Sequence, residues 1–138
     1  VVGAKGSTVD SVYLTIQDLT KGDSIDVIAI TNPGTVAGTG TIGIVASLAS
    51  AKVTVASNAT FSQALDAAAN NTGASTPDTT PATAKSVLKW FQFENNTYLV
   101  VDNSAATTYQ NGADSVIKIT GLVDLSTSTV NTDVITIA

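Results

Sequence analysis

The chain has 138 residues and a formal net charge of −5, and it contains no Cys, His, Arg or Met. Without Cys there is no disulfide framework and no thiolate metal site, and without His or Cys the common acid–base and nucleophile arrangements are excluded. Six cations against eleven acids oppose binding to nucleic acid or to an anionic membrane, because phosphate recognition needs clustered positive charge.

The apolar content is mainly Val, Ile, Leu and Ala, accompanied by abundant Thr and Ser. That composition favours strands. No window approaches eighteen consecutive apolar residues, so no membrane insertion by a helix is expected. The length suits a single domain, residues 1–138, that buries a core without staples. The chain has neither Met nor an amino-terminal signal peptide, so we expect it to be a module of a longer secreted protein.

Val12, Leu14 and Ile16 alternate with Tyr13 and Thr15, the period-two pattern of a half-buried strand. Thr20-Lys21-Gly22-Asp23 breaks that pattern, and Ile25 to Ile30 restarts it before a turn at Asn32-Pro33-Gly34. Val36 to Gly43 reads as a Gly- and Thr-rich loop, and Ile42–Leu48 and Val53–Ala56 as short strands. The period then changes. Thr60 and Gln63 have the spacing of a capping box, and Phe61, Leu65 and Ala68 fall on one helical face. This helix should end near Asn70-Asn71, before an exposed loop at 72–83. Pro81 can open a helical turn through Lys85.

Val87–Glu94, Asn95-Asn96 and Thr97–Asp102 read as a β-hairpin, because Asn tolerates the positive φ of a tight turn. Phe91 and Phe93 should share a buried face, with Trp90 and Gln92 on the other. Asp114–Thr120 makes another strand, and Val134–Ile137 a last one, expected at a sheet edge.

The hairpin also carries a resemblance. Trp90-Phe91-Gln92-Phe93, Asn96-Thr97-Tyr98-Leu99-Val100-Val101-Asp102-Asn103-Ser104 and Gly112-Ala113-Asp114-Ser115-Val116-Ile117-Lys118-Ile119-Thr120-Gly121 resemble the carboxyl-terminal regions of RTX-type secreted bacterial proteins. That group includes S-layer proteins, giant adhesins and the non-catalytic end of serralysin-like proteases. Ile16-Gln17-Asp18-Leu19 with Gly22-Asp23-Ser24-Ile25-Asp26 is similar to the strand-turn-strand that leaves the calcium β-roll in those proteins. Asp133-Val134-Ile135-Thr136-Ile137-Ala138 resembles their acidic-plus-apolar type I secretion signal. The Gly-Gly-x-Gly-x-Asp repeats of the group are absent, so any calcium must bind elsewhere.

Two clusters suit calcium, which takes several oxygen ligands. One is Asp102, Asn103 and Asp114 at the hairpin exit; the other is Asp18, Asp23 and Asp26 around the first turn. The competing role for each acid is to hold a turn by bonding nearby backbone N–H groups. Trp90, Phe91, Phe93, Tyr98 and Tyr109 could form a sugar-stacking platform, although paired-strand aromatics more often pack a core. Asn58-Ala59-Thr60, Asn70-Asn71-Thr72 and Asn95-Asn96-Thr97 match the N-glycosylation pattern, which a chain rich in Asn and Thr also produces by chance. A Ser–Lys pair, for example Lys85 and Ser86, or paired Asp carboxylates remain formally open to catalysis, but Lys85 and Ser86 are neighbours, and neighbours in an extended segment point apart.

These readings lead us to expect an all-β domain, a β-sandwich or a flattened β-roll cap with one or two short helices. The resemblance implies a non-enzymatic export and assembly module, secreted to the bacterial cell surface. Its expected partners are a type I secretion transporter and neighbouring copies of itself. The alternatives are a calcium- or glycan-dependent envelope attachment module and the non-catalytic tail of a secreted hydrolase.

Overall fold

The computed structural model describes residues 14–27, 44–69, 85–102, 106–111, 114–131 and 134–138. It is all-β with one short helix, as the composition leads one to expect. The elements are β1 (Leu14–Ile16), β2 (Ser24–Asp26), β3 (Ile44–Leu48), α1 (Phe61–Ala69), β4 (Lys85–Phe93), β5 (Asn96–Asp102), β6 (Ser115–Thr120), β7 (Thr129–Asn131) and β8 (Val134–Thr136). They form a five-stranded sheet in the order β1-β6-β5-β4-β3 and a three-stranded sheet in the order β2-β8-β7. Val12, Tyr13, the segment 28–43 with its expected turn, and the loop at 72–83 lie outside the described residues.

The β4–β5 hairpin organises the larger sheet. Its turn is Glu94-Asn95, with φ of 47° and 61°, the two left-handed residues of a type I′ turn. The expected turn, Asn95-Asn96, is therefore displaced by one residue. Asn96 instead opens β5 opposite Phe93, and its side-chain amide donates to the Glu94 carbonyl at 2.8 Å. The displacement moves each cross-strand partner by two positions, so every side chain keeps its face. Phe91 now lies opposite Tyr98, and Phe93 lies at the tip. Phe91 is fully buried, whereas Phe93 is only half-buried, contrary to the expectation that both would be interior.

Two parallel pairings complete the sheet: β1 beside β6 and β3 beside β4. Parallel neighbours need a crossover connection, and the one between β3 and β4 contains α1. Thr60 caps this helix. Its Oγ1 accepts the Gln63 N–H at 3.3 Å, and the Gln63 side chain accepts the Thr60 N–H at 2.9 Å, the reciprocal capping box that the spacing predicted. Val53–Ala56, expected as a strand, is an extended run outside any sheet. Val53 donates one backbone bond to Trp90 at 2.8 Å, and Val53 and Val55 turn inward while Thr54 and Ala56 face solvent. Lys85, expected in a helical turn, starts β4.

Two cores lie on opposite faces of the larger sheet. Between the sheets, Leu88, Trp90, Leu99, Val101, Ile117 and Ile119 meet Ile25, Leu125, Ile135 and Ile137. On the other face, Ala64, Leu65 and Ala68 of α1 cover Phe91, Tyr98 and Val100. Strand β5, central and covered on both sides, is buried from Thr97 to Asp102. The order is therefore small sheet, large sheet, helix, a β-sandwich with α1 on its outer face.

Thr97 is one of two fully buried polar residues of β5, with Asp102 at its other end. Its hydroxyl accepts the Val123 N–H at 2.8 Å and donates towards the carbonyls of Gly121, 2.9 Å away, and Val123, 3.2 Å away. It thus fixes the chain where β6 ends, at a glycine whose φ of +91° disfavours any side chain. Thr97→Val keeps the shape but strands these backbone groups. We expect a loss of about 1–3 kcal/mol, read as a lower urea midpoint with an unchanged slope.

Candidate functional site

The large sheet brings two buried carboxylates to one end. Asp102 is the last residue of β5, and Asp114 immediately precedes β6. Val101 pairs with Ser115, so the next step along the antiparallel ladder sets Asp102 beside Asp114. Both side chains are buried, at 0% and 2% exposure, which is costly for carboxylates unless they are bonded. Asp114 accepts the Gln110 N–H at 2.7 Å and returns its own N–H to the Gln110 carbonyl at 2.8 Å. It therefore holds the turn before β6, the competing role foreseen for it. Asn103, the third candidate ligand, lies outside the described residues.

Next to this pair, the Asp66 carboxylate of α1 accepts the Tyr109 N–H at 3.0 Å, tying the 106–111 loop to the helix. The Tyr109 phenol is pushed up from its ordinary pKa, first by burial and then by the negative charge of Asp114. This tether was not visible in the sequence, because its partners are separated by 43 positions.

The first-turn acids are arranged differently. Asp18, Asp23 and Asp26 are all exposed, and no group of three or more potential metal-ligating acids forms among the described residues. Asp23 accepts the Thr20 N–H at 2.8 Å and the Thr20 hydroxyl at 2.9 Å, across a turn that places Gly22 at φ +95°. The backbone bond, then the hydroxyl bond, holds the Asp23 carboxyl below its ordinary pKa. Because the folded value is lowered, the contribution is present above the unfolded carboxyl's pKa. It is lost as pH falls through the folded one.

The described aromatic side chains pack into the two cores, Trp90 in one and Phe61, Phe91, Phe93, Tyr98 and Tyr109 in the other. Phe91 stacks on Tyr98 with centroids 5.2 Å apart and planes 14° from parallel. Phe61 of α1 closes over Tyr98 at 4.8 Å and Phe93 at 5.6 Å. Trp90 points to the opposite core and gives its indole N–H to the Ala49 carbonyl at 3.0 Å.

The terminal segment departs most from expectation. Strand β8 lies between β2 and β7 and so has no free edge. Ile135 and Ile137 are buried, and Val134 is half-buried; Asp133 lies outside the described residues. Beyond the strand, Ile137 donates to the Asp23 carbonyl at 2.9 Å and accepts the Gly22 N–H at 2.8 Å. The small sheet is therefore built around this segment. β7, which supplies the second neighbour, shows no apolar alternation: only Val130 turns inward, between exposed Thr129 and Asn131.

One surface feature adds to these. A groove of about 560 Å³ lies between the 54–60 segment and α1, lined by Thr54, Asn58, Thr60, Gln63 and small apolar residues. No helix among the described residues is long and apolar enough to cross a membrane. Comparison with protein-family models and with curated proteins gives no match.

Proposed function

We propose that this chain is a non-enzymatic export and assembly module of a secreted bacterial surface protein, whose residues 133–138 are read by a type I transporter before folding. The resemblance described above suggests the role, and the burial of Ile135 and Ile137 carries the order of events. A strand at the centre of a sheet offers a transporter neither its backbone groups nor its buried isoleucines. Recognition must therefore precede folding, and the chain folds outside the cell, where it packs with neighbouring copies.

Two variants test this in cells that carry a cognate transporter. Deleting Asp133–Ala138 should abolish export. Leu99→Asp, which wrecks the core but leaves the sequence of the terminal segment unchanged, should leave export intact. Normal export of the deletion, or loss of export in Leu99→Asp alone, contradicts the proposal.

The adjacent buried carboxylates Asp102 and Asp114 favour a second reading, calcium-dependent attachment to the cell envelope. The pair offers up to four of the six to eight oxygens calcium takes, with Asn103 adjoining in sequence. A metal bound only to the folded state stabilises it by mass action, by about 2.7 kcal/mol at a hundredfold excess over Kd. Chelator should then lower the melting temperature. An unchanged melting curve leaves both acids as turn-holders.

A further inference from the structure

Two of the three Asn-x-Thr sequences fall wholly on described residues, and the fold treats them oppositely. Asn95-Asn96-Thr97 begins at the hairpin turn but ends on Thr97, which is fully buried with its hydroxyl bonded to the Gly121–Val123 segment. Asn58-Ala59-Thr60 lies on the surface. Asn58 and Thr60 are exposed, and Asn58 sits in a turn closed by the Ala59 N–H on the Ala56 carbonyl at 3.0 Å. Enzymes that glycosylate asparagine take the Asn amide and read the hydroxyl two residues on, so both groups must leave the fold together.

The extent of the opening separates the two sites. Freeing Thr60 opens one turn and one helix cap, a local event. Freeing Thr97 separates the central strand from both neighbours, which approaches global unfolding. The groove beside Asn58 adds an independent indication. It is uncharged, with the hydroxyls of Thr54 and Thr60 and the amide of Gln63 set among Ala56 and Ala67. Its volume falls in the range that holds small polar ligands, and this mixture matches a neutral sugar.

We propose that, of the acceptor sequences on described residues, Asn58 is the one that takes an N-glycan in the folded chain, with its first sugar lying along this groove. In the reaction the Asn58 Nδ2 forms a bond to C1 of an activated sugar. The bond from C1 to the donor's phosphate breaks, the phosphate leaves with the electron pair, and the amide gives up one proton. The acceptor site follows from the folded chain alone and does not rest on the export reading.

The test incubates purified folded chain with an asparagine glycosyltransferase and UDP-glucose, or with an oligosaccharyltransferase and its lipid-linked donor, followed by peptide mass mapping. At least one donor should place sugar on Asn58 in the wild type and in Asn95→Gln. Asn58→Gln should carry no sugar at that position, and Thr60→Asp, which removes the hydroxyl but retains a good helix cap, should leave Asn58 bare. A bare Asn58 with both donors, or sugar on Asn95 in the folded chain, overturns the proposal. Export of Asn58→Gln is measured in parallel, so a failed export reading and a failed acceptor site give separate signatures.

Discussion

Deleting Asp133–Ala138 is expected to abolish cooperative folding, the largest effect of any short change in this chain. A terminal strand at a sheet edge would cost little to lose. Here the deletion removes the strand that joins β2 to β7, together with the Ile137 bonds to Gly22 and Asp23 and two fully packed isoleucines. Each buried Ile truncated to Ala costs about 2–5 kcal/mol, so their joint loss rivals the stability of a typical domain, about 5–15 kcal/mol. The deleted chain should show a broad, non-sigmoidal urea transition. Ile135→Ala, which leaves the backbone in place, should instead retain a two-state transition and lose about 2–5 kcal/mol. A deletion that unfolds with the wild-type midpoint would contradict the central placement of β8.

Phe91→Ala should be the most damaging single substitution on the helix-covered face, at about 3–5 kcal/mol. The ring is fully buried and stacked on Tyr98, and Phe61 bridges it to α1 with centroids 6.1 Å apart. Its removal leaves a cavity that the β4–β5 ladder is too rigid to close. Phe93→Ala should cost clearly less, because Phe93 is half-buried at the hairpin tip, where it meets the Phe61 ring. Equal losses for the two in urea denaturation would refute the assigned register.

What could be read from the sequence was local. The Thr60–Gln63 box, the helix it starts and the existence of the hairpin depend on neighbours within a few positions, and each emerged nearly as expected. The turn slipped by one residue because Glu94 accepts a positive φ that Asn was expected to claim, helped by the Asn96 amide on its carbonyl. The parallel pairing of β1 with β6 joins residues about a hundred positions apart, and nothing in either strand specifies that partner. β7 carries one inward Val among polar residues, too little for a periodic signal. Val134, Ile135 and Ile137 showed that the last segment wants burial. Only the fold shows that it is enclosed by strands on both sides.

The candidate acids followed the same rule. Turn chemistry identified Asp23 and Asp114 as residues that hold backbone N–H groups, since their partners lie three and four positions away. The burial of Asp102 beside Asp114 depends on the β5–β6 register, and the groove at Asn58 on the crossover that lays α1 against the 54–60 segment. Neither is encoded within a short window.

Native-state hydrogen exchange of the terminal strand tests the account most directly, since burial of β8 underlies both the predicted collapse on deletion and the order of recognition before folding. The Ile137 amide, bonded to Asp23, and the amides of β8 should exchange only through global opening. They should share the protection free energy of Leu99 and Val100 in β5. Rapid exchange of Ile137 and β8, with β5 still protected, would show a frayed terminus and contradict the account.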